Sequence, residues 1–342
     1  VSSPFSRAGE FVRAHADALL RRFSDAEAHA ESAFVPTRFV WVRGLALSCD
    51  HFGGREFVRA PRGGAPALRF PDGAYDGVRD GDLVWVRASA LVQFLDEALP
   101  HLKARFGLLT GDHVTSIPSG FGRAHQLLDD PRVLCWFAQN LDGPPHPKLR
   151  HLPLGVDFHT IANGRKWGHA RATPGEQEAE LAELRRSMRP LAERRLRVHA
   201  DFHFNPRARA GDDRTLAERA LRQSGIADFA PRKLPRLQLW REKTDYAFVA
   251  SPRGVGLDCH RTWESLLLGN IVLVRRSSLD PLYAGLPVVA IDDWRELTPA
   301  RLQEWLALHA ASWGSAEIEQ RLTNRYWIER ARTHVAERLR AS

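Results

Sequence analysis

The residues with the most chemical potential in this chain concentrate between Phe248 and Glu264. An apolar run, Phe248 to Ala250, leads into Ser251-Pro252-Arg253-Gly254-Val255-Gly256, then Asp258, and a segment of helical period from about Cys259. Glycine has no Cβ, so Gly254 and Gly256 let the backbone come close to a ligand. The first amides of a helix lack partners within it and attract anions. Asp258 is the expected N-cap of that helix. Beyond it, Trp263, Leu266 and Leu267 share the face that should pack on a sheet. Arg261, Glu264 and Ser265 share the other face, at i, i+3 and i+4. A cation in the first turn and a carboxylate one turn later suit a nucleotide. Arg261 would meet the diphosphate and Glu264 the ribose hydroxyls; Arg253 and Thr262 are further donor-site candidates. The plainer alternative is a tight glycine turn and a solvated Arg261–Glu264 pair.

Other constellations are looser. Arg207 and Arg209 follow the run His199-Ala-Asp201-Phe-His203 and could neutralise a diphosphate leaving group. His199 and His203 sit at a strand end with no cysteine nearby, which does not make a structural zinc site. Phe106 to Thr110 reads as a strand that ends in Gly111-Asp112-His113. A carboxylate or imidazole at the end of a strand facing a cleft is where a general base would stand. Asp112 is the first candidate and His113 the second. Cys49-Asp50-His51 and Asp157-Phe-His159 are comparable strand ends, and either could simply cap a loop. Gln139 and Asn140 could line a cleft. Trp136, Trp240, Trp263 and Trp294 lie in apolar runs and read as core.

These groups need a scaffold, and the chain supplies one. At 342 residues with 44% hydrophobic and 26% charged residues, it is of globular composition and long enough for two domains. No stretch approaches the eighteen apolar residues of a spanning helix. Three cysteines, Cys49, Cys135 and Cys259, are too few and too scattered for a disulfide scaffold, which fits a reducing, cytoplasmic setting. Short apolar strands alternate with amphipathic helices, the pattern of parallel sheets covered by helices. Strands are expected at 38–42, 83–86, 106–110, 133–137, 152–154, 196–199, 247–250, 271–274 and 288–291. Helices are expected at 6–31, 88–105, 170–196, 215–222, 234–243, 260–268 and 315–340. The fold class is therefore α/β, with two Rossmann-like domains facing a central cleft. Residues 1–185 form the first, acceptor-side domain, 186–314 the second, donor-binding domain, and 315–342 a helix that packs back on the first. Ligands of such sheets bind beyond the carboxyl ends of the strands.

Pro252-Arg253-Gly254, Arg261 followed by Glu264, and Gly269-Asn270-Ile271 entering a second apolar strand resemble the donor-binding core of exostosin-like glycosyltransferases. The likeness covers about residues 248–294, including Ser277 to Tyr283 and Leu286 to Val289; elsewhere it is one of layout. It implies the GT-B fold, with Glu264 as ribose ligand and Arg261 as a donor phosphate contact. The implied reaction moves a sugar from a nucleotide-sugar donor to a glycan or lipid-linked acceptor. Inversion with Asp112 or His113 as base is expected. So is the absence of a cofactor and of a metal, protein cations taking the leaving-group charge.

The net charge of +8 comes mostly from arginine, since only five of the 49 basic residues are lysines. Such a surface attracts anions of any kind, including the inner face of a membrane. The arginines are dispersed and no nucleic-acid-reading module appears, so nucleic acid is not an expected partner. A protein that binds nucleotide or glycan without turning it over is the other rival.

Overall fold

The computed structural model describes residues 37–59, 69–166, 168–202, 212–230 and 234–341. The helix expected at 6–31, together with His203, Arg207 and Arg209, lies outside these residues.

Two parallel sheets organise the chain. The first holds β1 (Leu83–Arg87), β2 (Phe106–Gly111), β3 (Val133–Ala138) and β4 (Leu149–His151) in the order β1-β2-β3-β4. Its first three strands are buried along their whole length, as near-continuous apolar runs in a doubly covered parallel sheet must be. The second holds β5 (Arg195–Ala200), β6 (Ala227–Phe229), β7 (Tyr246–Ala250), β8 (Ile271–Arg275) and β9 (Val288–Ile291) in the order β6-β5-β7-β8-β9. Along β8, Ile271 and Leu273 enter one apolar core while Val272 and Val274 enter another. That two-residue period marks a strand covered on both faces.

The helices that matter for the site are α1 (Val42–Leu47), α2 (Pro174–Arg186), α3 (Asp213–Ser224), α4 (Arg236–Lys243), α5 (His260–Leu267), α6 (Pro299–Ala310) and α7 (Asn324–Ala341). Helix α2 starts with Thr173 and Glu176 bonding each other's backbone amides, and Pro174 occupies its first position. Helix α3 is capped by Asp212 and stopped by Gly225 at φ +67°. Helix α6 closes the outer core with Leu302 and Trp305. Helix α7 returns to β2 and β3 of the first sheet. A Cβ at Gly107 of β2 would lie 2.4 Å from Val335 of α7, so glycine sets how closely that helix packs. The larger core runs from the first domain through Trp263 and Leu266 of α5 to one face of the second sheet.

Several elements differ from expectation. In place of a strand at 38–42, Phe39 and Trp41 make single antiparallel bridges to Thr323 and Gly155, and α1 follows at once. The Asn324 side chain acts as the missing neighbour: it accepts from the Trp41 amide and donates to the Thr37 and Phe39 carbonyls. The fourth strand is Leu149–His151, three residues early. In the segment expected to hold it, Pro153 has no amide to donate and the Leu154 amide goes to Asp258 instead. The helix expected at 88–105 is a succession of tight and widened turns that ends at His101, just after Pro100. The C-terminal helical stretch breaks between Arg321 and Asn324.

Candidate functional site

In the second sheet the chain runs outward from β5 to β6, then crosses back to β7 and continues the other way. The connections that leave β5 and β7 therefore run to opposite sides, and beyond such a switch point open α/β sheets take ligands in a crevice. A cavity of about 710 Å³ occupies it, walled on the far side by loops after β2 and β3 of the first sheet. His113, Gln139, Asn140 and Asp157 line it from the first domain. Asp201, Arg214, Arg261 and Glu264 are among those that line it from the second.

Gly254 and Gly256 border this cavity, and neither has a positive φ. Their use is close approach. A Cβ at Gly254 would lie 2.6 Å from the Arg214 guanidinium, and one at Gly256 would lie 3.2 Å from the Asn140 amide. Asn140, itself left-handed at φ +53°, bridges the domains: its Oδ1 accepts from the Asp258 amide (2.9 Å) and its Nδ2 donates to the His113 carbonyl (3.1 Å).

Helix α5 begins at His260 with Cys259 as N-cap, so Asp258 does not cap it as expected. The Asp258 carboxylate is instead a buried junction. It accepts from Trp263 Nε1 (2.8 Å), the Tyr283 hydroxyl (3.0 Å) and, across the domains, the Leu154 amide (2.8 Å). Burial still outweighs these bonds and raises its affinity for a proton.

Arg261 lines the cavity, with its Nε 2.7 Å from Asp201 Oδ1. The other Asp201 oxygen is 2.9 Å from the buried Lys243 Nζ. Burial alone would raise the Asp201 carboxyl; Lys243, Arg261 and nearby His199 overcome it and hold the group well below the usual carboxylate range. Glu264 is also at the wall. Trp240 Nε1 donates to its Oε2 (3.2 Å) and Arg236 stands 3.9 Å from its Oε1. Arg236 binds Gln177 of α2 (2.9 Å) and the Asp157 carbonyl as well, so one guanidinium joins three parts of the chain. Burial and the neighbouring Arg261 lower the affinity of Arg214 for its proton. Burial would raise the Asp157 carboxyl too, but His159, His260 and Arg236 hold it far below its ordinary range.

Other expected site residues stand elsewhere. Asp112 does not line the cavity. Its exposure is 0%, and its Oδ2 lies 2.9 Å from Arg87 and 3.5 Å from Arg43. A base must reach its substrate, so this position corrects the expectation for Asp112. His113 does line the cavity. Its Nδ1 accepts from the Thr115 amide (3.3 Å) and lies 2.5 Å from the Thr115 hydroxyl, so the neutral ring carries its proton on Nε2. Thr262 is buried against Ser251, 2.9 Å between hydroxyls, and faces away from the cavity. Arg253 is exposed and is not a lining residue; its amide donates to Asp213. Asp50 pairs with Arg332 of α7 and His51 with Asp82, both remote from the cleft. One Asp-x-Asp tripeptide exists, Asp80-Gly81-Asp82. It precedes β1 at the amino edge of its sheet, the opposite edge from the cavity. Trp136, Trp240, Trp263 and Trp294 are all buried.

No family model and no curated protein matches this chain. Solved structures do. An α,α-trehalose-phosphate synthase (UDP-forming) from Burkholderia xenovorans is 13% identical with a TM-score of 0.35, over 76% of this chain and 72% of that one. A glycosyltransferase involved in avilamycin A biosynthesis is 14% identical with a TM-score of 0.27, over 70% and 87%. None of these likenesses bears on substrate or chemistry.

Sequence reasoning missed Arg214, Arg236 and the Asp201–Lys243 pair. Arg236 and Trp240 are four residues apart on α4, but nothing in one chain separates that arginine from the many others.

Proposed function

We propose that this chain is a glycosyltransferase of the exostosin-like, GT-B type that moves a sugar from a nucleotide-sugar donor to a glycan or lipid-linked acceptor. The observation that carries the reading is the cavity at the switch point. It has the volume of a small-molecule site, cations at its floor, and Glu264 one helical turn from Arg261. The diphosphate would lie against the N-terminus of α5, with Arg214 and Arg261 taking the charge that develops as the sugar leaves. Arg207 and Arg209 would join them. Glu264, fixed by Trp240 and Arg236, would accept from the ribose hydroxyls. Direct displacement with inversion needs a base on the acceptor side. His113 is the expected base that borders the cavity, and it serves once its Nδ1 leaves Thr115.

Calorimetric titration with UDP, GDP, CMP, dTDP and ADP tests this. Micromolar binding of one nucleotide, unchanged by magnesium and weakened at least tenfold by Glu264→Ala, is the expected result. His113→Gln should keep that affinity and abolish sugar transfer. No binding to any nucleotide would overturn the donor-site reading.

A further inference from the structure

Three side chains converge where the first domain meets the start of α5. Asp157 and His159 lie just past Gly155, and His260 is the first residue of the helix. One ligand atom from each lies within 4.8 Å of the others. Asp157 Oδ1 and His159 Nδ1 are 3.0 Å apart, near enough for both to reach one ion, since two ligands about 2.1 Å from a tetrahedral ion stand about 3.4 Å from each other. His260 Nδ1 is 2.7 Å from the Gly155 carbonyl. A carbonyl only accepts, so Nδ1 carries the proton and Nε2 keeps its lone pair. A backbone carbonyl holding the far nitrogen is how imidazoles that bind metal are usually oriented. Gly155 is bridged to Trp41, and so closely that a Cβ there would lie 2.2 Å from the Val40 carbonyl oxygen.

Charge supports a cation at the same place. Asp157 and Glu264 set two carboxylates against Arg236, which is 3.5 Å from one and 3.9 Å from the other. Arg236 meets the Asp157 carboxylate only at 3.5 Å, so the carboxylate can still take a cation. Two imidazole nitrogens and one carboxylate oxygen are a donor set for first-row transition ions, whereas magnesium and calcium prefer oxygen.

We propose that Asp157, His159 and His260 hold a divalent transition ion of the zinc class. It clamps the first domain to the N-terminus of α5. Its remaining coordination positions open toward the cavity that Asp157 and His260 line. This departs from the metal-free site expected from the sequence. The ion adjoins the end of α5 where the diphosphate is proposed to lie, but its binding is read in the unliganded protein and is tested separately from sugar transfer. Magnesium would not fill the site, so magnesium-independent nucleotide binding is compatible with it.

The test is cobalt titration of chelator-dialysed protein near pH 7.5, read by visible absorption. Binding of one equivalent with d–d bands at 500–650 nm, displaced by zinc and not by magnesium, is expected. His260→Gln and His159→Gln should each weaken cobalt at least a hundredfold, with circular dichroism of the metal-free variants unchanged. If a variant does not fold, X-ray absorption of the wild-type cobalt protein must still show scattering from two imidazoles. No cobalt binding up to millimolar concentration overturns the proposal, and so does full retention of binding in both folded variants. Nucleotide titration of the same samples reads the donor site separately.

Discussion

Asp112 and Asp201 occupy similar places: each directly follows an inner strand of a parallel sheet, and each is held by two cations. Only Asp201 borders the cavity. Asp112 sits at φ +56° with its amide bound to Gln139, and its carboxylate turns back to Arg43 of α1 and Arg87 at the end of β1. All of these partners belong to its own domain. Asp201 stands at the switch point between β5 and β7, and its partners come from the end of α4 and the start of α5. A strand end brings a carboxylate to the cleft when the topology opens a crevice beside it. Where neighbouring strands continue in sequence, as in the first sheet, the same position becomes part of the scaffold.

Removing each carboxylate should separate the two roles. Asp112→Ala leaves two buried guanidinium groups without their counter-ion and should cost about 3–5 kcal/mol in denaturant unfolding. Asp201→Asn should cost less, because the asparagine carbonyl can still accept from Lys243 and the cavity admits water to Arg261. It should also strengthen diphosphate binding severalfold, since Arg261, which lines the cavity, loses its internal counter-charge. Equal stability losses, with no change in nucleotide affinity, would remove the distinction.

His199 offers a second comparison, within the Asp201 network itself. Burial pushes its pKa down to about 4, and the opposing effects of Asp201 and the nearby cations Lys243 and Arg261 do not undo this. Among the described residues neither ring nitrogen has a hydrogen-bond partner, and Tyr246 packs on the ring edge-on. The folded state therefore keeps His199 neutral while the unfolded chain takes a proton below the ordinary value of 6.5. The unfolded state binds more protons in that window, so stability falls as pH drops from 6.5 toward 4 and levels off below it. The loss is roughly 3 kcal/mol, from about 1.4 kcal/mol per pKa unit. His199→Gln should flatten that part of the pH–stability curve, and parallel curves for wild type and variant would refute the assignment.

How far the sequence shows these things depends on how local they are. Strands β1, β2, β3, β7, β8 and β9 stand out as short apolar runs, and β5 by Leu196 and Val198 alternating with polar residues. β6 does not: Ala227–Phe229 is three residues of half-buried edge, with Asp228 at its centre paired to Arg197. The Arg261–Glu264 face and both glycines are legible because they lie within a dozen residues. Asp201, Arg236 and Arg214 reach the same cavity from distant segments, and no spacing connects them. The irregular stretch 88–101 hides for another reason, since its apolar period is that of one α-helix while its turns alternate between tighter and wider ones.

The smallest effects concern the two glycines, which the sequence presents as equivalents. At Gly256 an added methyl meets the Asn140 amide, and that amide is held by Asp258 and by the His113 carbonyl. The neighbour cannot yield without loosening the bridge between domains, so Gly256→Ala should cost about 1 kcal/mol. At Gly254 the methyl meets the far end of the Arg214 side chain, which can swing away. Gly254→Ala should leave stability within about 0.5 kcal/mol of wild type. It should weaken nucleotide binding a fewfold, because the displaced guanidinium is one that faces the cavity. Thermal unfolding and calorimetry on the two variants decide the matter. If both lose stability alike, the loop is a simple turn and the close approach of Arg214 does not contribute to binding.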